Sequence, residues 1–409
     1  MEVPNIRIAI LHHALGRFGG GEKLTLLHAI YLAKYGYNVE LFYDGPLNPE
    51  WKNRTLLHLT MKKLPSGIPR SIKDMQKIIG LIKYLGSFDR ILVHHHICPL
   101  LAYYLSIFLK SKILWYCGEP LRALWENWLS NMDYREISCT VKPTSTIFYG
   151  RTLTSIFLSD ILYDASIYVL RAVDKTTIRR YLKIVANSHY TKKIIRRIYD
   201  FKKPIEVIYP GVELFRKQLN ASDDNRQEVK DPFILAVGSM IPMKNYFTLL
   251  KAFKHLEKRN PSINLVIIGS GPLEKDIRKF ARDLDLKNII FKRKVSEQEL
   301  SKYYENCLFT VHIALNEPFG LVPVEAAIHG KPSIVSNNGG VSEFITNWEN
   351  GLTVNPRDPK DVANAMNTLI ENENLTLEMG RKAREKALNN FTIEKSVRNL
   401  INTIKKVQV

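Results

Sequence analysis

The 409-residue chain reads as two α/β domains in tandem, each a parallel sheet covered by helices. Three observations predict this. Apolar stretches of strand length alternate with amphipathic helical stretches in two series, and such alternation implies parallel strands. A polar, turn-rich stretch, "LNASDDNRQEVKD" from Leu219 to Asp231, separates the series and has the composition of a linker. The chain is also long for one core but suits two domains of roughly 200 residues each.

The first series opens with the strand "IRIAILHH" from Ile6, a glycine turn, and a helix from Glu22 to Lys34. "YNVELFYD" and "DRILVHHH" follow as strands, then a helix from Pro99 to Leu109 and the strand "SKILWYC". From Arg122 to Arg180 the pattern loosens into aromatic, basic helical segments, before "KIVANS" and "IEVIYPGV" return as short strands. The second series runs "FILAVGSM", a helix from Tyr246 to Lys258, "INLVIIGSGP", a helix to Leu284, and "NIIFKRKV". A helix from Glu297 to Asn306, "LFTVHIA", a helix from Val322 to His329, "KPSIVSN" and "GLTVN" complete it. The domains are therefore placed at 1–218 and 232–390, with the linker at 219–231. A last helix, 391–409, lies outside the second series and is placed as crossing back to brace the first domain.

Composition narrows the function. A hydrophobic content of 45% is that of a globular protein, and no run reaches the roughly 18 apolar residues of a membrane span, the longest being Ile97 to Leu109. Four cysteines with neither C-x-x-C spacing nor a disulfide framework suit a reducing compartment, so the expected location is cytoplasmic. The formal charge is +19, and Arg171 to Lys203 holds eleven Lys or Arg against two Asp. Nucleic acid is not the expected partner, because no RNA-binding signature or stacking set accompanies the charge. Two readings of the segment remain. Ile194, Ile195, Ile198 and Tyr199 form an apolar stripe beside the basic one, suited to the cytoplasmic face of an anionic membrane, or that stripe is core and the charges a solvated face.

"GRFGGGEKLT", Gly16 to Thr25, has the look of a phosphate loop between strand and helix. A P-loop needs Gly, four residues, then Gly-Lys-Ser/Thr, and here Glu22 stands in the place of the lysine. The dinucleotide pattern fails as well, since Leu24 occupies the third glycine position. What survives is a glycine turn leading into a helix whose first N–H groups attract anions, or a plain tight turn.

The densest signal is "EPFGLVPVEAAIHGKPSIVSNNGGVSEFI", Glu317 to Ile345. Glu317 falls at the carboxyl end of a buried strand, and Glu325 in the first turns of the next helix. A carboxylate there accepts hydrogen bonds from sugar hydroxyls, the helix start offers unpaired N–H groups to a diphosphate, and Glu325 faces a ribose. Together they describe a nucleotide sugar.

With "FGLVPVEA", "GKPSIVSNNGGVSEFI" and "NGLTVNP", this pair resembles the retaining glycosyltransferases of family 4. These have the GT-B fold, two Rossmann-like α/β domains facing across a cleft. "GGGEKLTLLHAIYLAKYGYNVELF", "IVANSHYTKKII", "VIYPGVELF" and "LAVGSMIPMKNYFTLLKAF" extend the resemblance over nearly the whole chain. It implies transfer of a mannose- or glucose-type hexose from a nucleoside diphosphate to a glycan or lipid-linked acceptor, with no metal and no other cofactor. It assigns Lys244 to the leaving diphosphate, Glu317 to the sugar hydroxyls, and Glu325 to the ribose. The amides of Phe319, Gly320, Leu321 and Val322 fall to phosphate and sugar. Gly19 and Gly20 fall to the diphosphate, and Gly269, Lys294 and Val295 to the border of the base. The lone "DLD" at Asp283 to Asp285, at a helix end, is no convincing metal site.

Two departures stand out. Ser239 occupies a position where many relatives carry arginine, and Gly118, in "WYCGEP", one where they carry histidine. On the acceptor side this leaves His13, Glu119 and Arg122 as candidates, with Glu119 equally suited to capping the next helix. The triple His94–His96 alternates sides of a strand end and makes a poor metal site. A non-catalytic sugar-nucleotide-binding partner is the alternative reading, opposed by the intact Glu317, Glu325 and Lys244. A related epimerase or phosphorylase is a third, but no signature for a lysine-bound cofactor is present.

Overall fold

The computed structural model describes residues 6–16, 19–48, 59–65, 72–121, 124–125, 158–214, 231–293 and 295–406. The chain forms two compact units, Met1–Ile208 with Val397–Val409, and Tyr209–Ser396.

The first unit holds a seven-stranded parallel sheet. Its strands are β1 (Arg7–Leu15), β2 (Asn38–Leu47), β3 (Thr60–Lys63), β4 (Arg90–His94), β5 (Ile113–Cys117), β6 (Lys183–Ala186) and β7 (Ile205–Val207). They lie in the order β3-β2-β1-β4-β5-β6-β7. Central β1 pairs on both sides, Ile8 standing opposite Val39 and Arg90. Its run of Ile8 to Leu11 is fully buried, as a strand covered on both faces requires. The helices are α1 (Gly20–Lys34), α2 (Ile72–Gly86), α3 (Pro99–Phe108), α4 (Leu158–Arg180) and α5 (His189–Tyr199).

Helix α5 decides between the two readings of the basic segment. Ile195, Ile198 and Tyr199 are buried and Ile194 packs against the same core, while Lys193, Arg196 and Arg197 are exposed. The apolar stripe is thus core, and the reading in which it faces a membrane is corrected. The hydrophobic cost of exposing three large side chains favours packing on Trp115 and Trp125, whose rings lie 5.7 and 5.8 Å from that of Tyr199.

The second unit carries β8 (Phe233–Val237), β9 (Asn264–Ile268), β10 (Ile289–Lys292), β11 (Thr310–His312), β12 (Ser333–Ser336) and β13 (Gly351–Val354). The order is β10-β9-β8-β11-β12-β13, again parallel throughout. Its helices are α6 (Tyr246–Glu257), α7 (Glu274–Asp283), α8 (Glu297–Asn306), α9 (Val322–Ile328), α10 (Pro359–Glu371) and α11 (Glu373–Asn390). Both sheets have the doubly wound order in which the chain first works outward on one side and then crosses to the other. Each therefore has a topological switch point, between β1 and β4 and between β8 and β11, where crevices open at the strands' carboxyl ends.

The units divide at Ile208/Tyr209, ahead of the residue-218 boundary read from sequence. Tyr209 belongs to the second unit because its ring packs 5.5 Å from Phe319 and 5.2 Å from Phe391, and Val212 bridges to Thr392. The expected linker lies outside the described residues except for Asp231. The last helix, α12 (Ile393–Lys406), returns to the first unit from Val397 onward, where Thr403 hydrogen-bonds Glu206 and Arg398 reaches the Tyr35 hydroxyl at 3.2 Å. Among the described residues no helix is long and apolar enough to cross a membrane.

Candidate active site

In the second unit the predicted residues gather at the β8/β11 switch point. After β8 the chain makes a short turn, Pro242–Lys244, and Asn245 takes a left-handed conformation (φ 57°). Its amide group donates to the carbonyls of Ile313 and Pro356, at 3.2 and 2.6 Å, and the Leu315 N–H bonds the Met243 carbonyl at 2.7 Å. These bonds fasten the Lys244 turn to the segment that follows β11. Lys244 Nζ consequently lies 2.6 Å from Glu317 Oε2, with both side chains mostly buried, 17% and 13% exposed.

The Glu317 backbone is held by glycines. The Gly340 N–H bonds the Glu317 carbonyl at 2.7 Å, and a Cβ at Gly339 (φ +83°) would stand 2.7 Å from the same oxygen. Gly320 (φ +81°) turns the chain so closely that a Cβ would press on Val341, Glu317 and His312. Phe319 is buried against Tyr209 and Phe391 and anchors the turn, while Leu321 and Val322 lead into α9. One turn onward, Glu325 accepts a 2.8 Å hydrogen bond from the buried Tyr304 hydroxyl, whose ring stacks on His329.

Burial opposes ionisation of Glu317, but the Lys244 charge, with His312 assisting, holds its carboxyl well below the usual carboxylate range. His312 Nε2 is 3.7 Å from Glu317 Oε2, beyond hydrogen-bond distance, and burial followed by the Lys244 charge lowers its pKa. The site therefore holds a carboxylate, an ammonium and a neutral imidazole at neutral pH. His312 and Tyr304 were not singled out from sequence. A histidine ending the otherwise apolar strand "LFTVHIA", just before Glu317, was the available signal for the first.

The segment assigned to the base is stitched to the same loop. Gly238 N–H bonds the Ile268 carbonyl at 3.0 Å and Met240 N–H the Ser270 carbonyl at 2.9 Å, and a Cβ at Gly269 would overlap the Gly238 carbonyl. Val295 packs partly against the core, and Ser239 is exposed. Lys294 lies outside the described residues.

In the first unit, Gly19 caps α1 and Gly20 begins it, at the carboxyl end of β1. His13 is exposed, its ring 5.9 Å from that of His96. Glu119 is half-buried just beyond β5, and Arg122 lies outside the described residues. The residue at this switch point that sequence did not identify is His95. A Cβ at Gly118 would overlap its ring, and one at Gly21 would stand 2.8 Å from its Nε2.

Behind it runs a buried chain of hydrogen bonds. The Thr25 hydroxyl donates to the Gly21 carbonyl at 2.9 Å, so its oxygen accepts from His94 Nδ1 at 2.9 Å, and His94 Nε2 then accepts from His28 Nδ1 at 2.9 Å. Each ring carries a single proton in that arrangement. Burial lowers the pKa of His28 to about 3 and that of His94 well below the usual value. Below pH 6.5 the unfolded chain binds protons that the folded one refuses, so stability must fall as pH falls from about 6.5, by about 1.4 kcal/mol per pH unit for each ring. Urea midpoints should drop steeply between pH 7 and 5, and a flat profile would contradict the neutral pair.

The two doubly wound α/β units, with a lysine, two glutamates and a helix start at the second switch point, have the architecture of the GT-B fold. Residues 218–386 match the family Glycosyl transferases group 1. An uncharacterised glycosyltransferase of Methanocaldococcus jannaschii is 31% identical over 205 residues, 50% of this chain and 54% of its own length. The alpha-1,3/1,6-mannosyltransferase ALG2 of Dictyostelium discoideum is 24% identical, over 98% of both chains. Among solved structures, Anabaena HepE in complex with UDP and glucose superposes with a TM-score of 0.75 at 16% identity, covering 98% of this chain and 100% of its own.

Proposed function

We propose that the chain is a retaining, metal-independent hexosyltransferase that moves a mannose- or glucose-type sugar from a nucleoside diphosphate to a lipid-linked oligosaccharide or polysaccharide precursor. The observation that carries this reading is the Lys244–Glu317 pair at the β8/β11 crevice, with Glu325 in the first turn of the helix that follows. Cleavage of a glycosyl phosphate leaves negative charge on the diphosphate, and a fixed ammonium beside it stabilises that charge most where water is scarce. Glu317, ionised and 13% exposed, is an acceptor for the hydroxyls of the hexose. So low a pKa makes it a poor general base for an acceptor hydroxyl, since such catalysis works best near the operating pH. Deprotonation by the departing phosphate on the same face requires no such base, and gives retention. The mannosyltransferase relative supports a hexose donor, and the lysine-rich character of the chain suits an anionic, diphosphate-bearing lipid acceptor.

The reading is tested by thermal stabilisation with a panel of UDP-, GDP- and ADP-sugars in EDTA. A ligand at about 100 times its Kd adds roughly 2.7 kcal/mol, so one nucleotide should shift Tm by several degrees. No shift with any of them would favour a non-catalytic chain. Glu325→Ala should weaken nucleotide affinity by about 10- to 100-fold, as loss of hydrogen bonds to a charged group does. Tyr304→Phe, which frees one Glu325 oxygen from its protein partner, should change it less. Calorimetric titration checks both, and unchanged affinity in Glu325→Ala would remove this residue from the site.

A further inference from the structure

His312 ends β11, a strand paired to β8 on one side and β12 on the other, and its apolar neighbours Val311 and Ile313 are buried with it. An imidazole in such a place loses its water and needs a partner in exchange. Thr310, two residues earlier on the same face, has one, its hydroxyl meeting that of Ser333 at 2.7 Å. The His312 Nε2 is sealed from solvent and has no hydrogen-bond partner. The Tyr246 hydroxyl lies on the same small cavity but donates to the Gly238 carbonyl at 2.9 Å.

That nitrogen faces Glu317. It stands 3.7 Å from Oε2, the oxygen that also receives Lys244 at 2.6 Å. A Cβ at Gly320 would come within 3.4 Å of Nε2 and 3.3 Å of Glu317 Cγ, so glycine there leaves ring and carboxylate room to meet. Two donors are thus directed at one oxygen, and only the ammonium is in range. Closing 3.7 Å to a normal hydrogen bond takes a carboxylate shift of about 0.5–1 Å, with the ring in place.

In the proposed reaction Lys244 serves the departing diphosphate, and its hold on Glu317 weakens as it does so. A buried carboxylate that loses its counter-charge is strongly destabilised unless another donor takes over. Charged groups face the imidazole from each side of the site: Lys244 from the turn after β8, Glu317 from the loop after β11, and Glu325 from α9. Burial and then Lys244 lower its pKa, and the two glutamates oppose them. Withdrawal of the ammonium therefore leaves the imidazole facing carboxylates alone.

We propose that His312 is a positioning residue for Glu317, its Nε2–H bonding the carboxylate oxygen that Lys244 releases when the ammonium turns to the donor diphosphate. Glu317 then stays ionised and aimed at the sugar while the bond breaks. The proposal rests on the glycosyltransferase reading for the ligand that draws Lys244 away, but not for the exchange of partners itself.

Lys244→Met removes the ammonium with no ligand present and so isolates the exchange. Histidine ¹H–¹⁵N NMR of the full chain, with the His312 signals identified by their loss in His312→Leu, should show a new downfield Nε2–H proton in Lys244→Met. It should be absent in Lys244→Met/Glu317→Leu. His312 signals unchanged between Lys244→Met and the parent, or a downfield proton that survives loss of Glu317, would overturn the proposal whatever the substrate. In turnover of UDP-glucose or GDP-mannose, His312→Leu should lower kcat by about 10-fold, as loss of a hydrogen bond to a charged group does, with the Kd of UDP or GDP within about twofold. His312→Gln, which restores an N–H near that position, should recover about half of kcat or more. Leucine suits this apolar strand, so the urea midpoint of His312→Leu at pH 7 should not fall, which separates positioning from support of the fold. A kcat in His312→Leu within about twofold of the parent, a midpoint that falls together with kcat, or no recovery in His312→Gln would overturn the proposal. A chain with the Lys244→Met signature that binds no nucleotide would refute the donor assignment alone.

Discussion

Lys244→Ala should reduce turnover by about 100- to 1000-fold, the loss typical when one fixed donor to developing negative charge is removed. It should also destabilise the fold, because Glu317 would be left mostly buried and ionised without its 2.6 Å partner. Breaking such a pair by removing one side costs about 3 kcal/mol. The two effects separate in Lys244→Met, which keeps much of the packing and loses the charge. Both variants should lose kcat more than nucleotide affinity, because the ammonium interacts most strongly with the charge that forms as the bond breaks. Steady-state kinetics beside urea denaturation check this, and full activity in either variant would remove Lys244 from the leaving-group site.

Glu317→Gln should lower kcat by about 10- to 100-fold, since an amide keeps the shape but offers weaker acceptance to sugar hydroxyls and leaves Lys244 without a counter-charge. Its pH signature is distinctive. The folded-state pKa of Glu317 lies well below the ordinary value near 4.5, so the stability it contributes is present above pH 4.5 and lost only as pH falls through the lower, folded value. Acid sensitivity between pH 6.5 and 5 therefore belongs to the buried histidines and should persist unchanged in Glu317→Gln. Its disappearance in that variant would show the assignment of charges to be wrong.

The doubly wound architecture was legible because each central strand is an apolar run followed by a stretch of helix length, as in "IRIAILHH" and "FILAVGSM". Edge strand β3 was not read, since Thr60–Lys63 is four residues long with exposed ends and no apolar run. Helix α2 was missed as well, although Ile72, Met75, Ile78, Ile82 and Leu85 recur at helical spacing; of these only Ile78 and Leu85 are buried. The stripe on α5 shows the limit of composition, because a basic amphipathic helix has the same sequence whether its apolar side meets lipid or Trp115 and Trp125.

At the site, Glu317, Glu325 and Lys244 were readable from a motif and a resemblance, and the fold brings Lys244 and Glu317 into contact although they lie on different loops. His95 was not readable. Its position depends on a left-handed backbone and on two glycines from other segments, and only the folded chain places Gly21, His95 and Gly118 together. His13, an acceptor-side candidate from sequence, is exposed, and its ring lies beside that of His96.

The central claim is transfer with retention from a nucleoside diphosphate sugar without metal, and proton NMR of donor turnover in EDTA tests it most directly. With UDP-glucose and GDP-mannose, both α-linked, the account predicts that the anomeric signal of the first-formed product is α, and that Lys244→Ala slows its appearance. A β product formed first, or turnover that requires an added divalent cation, would contradict it.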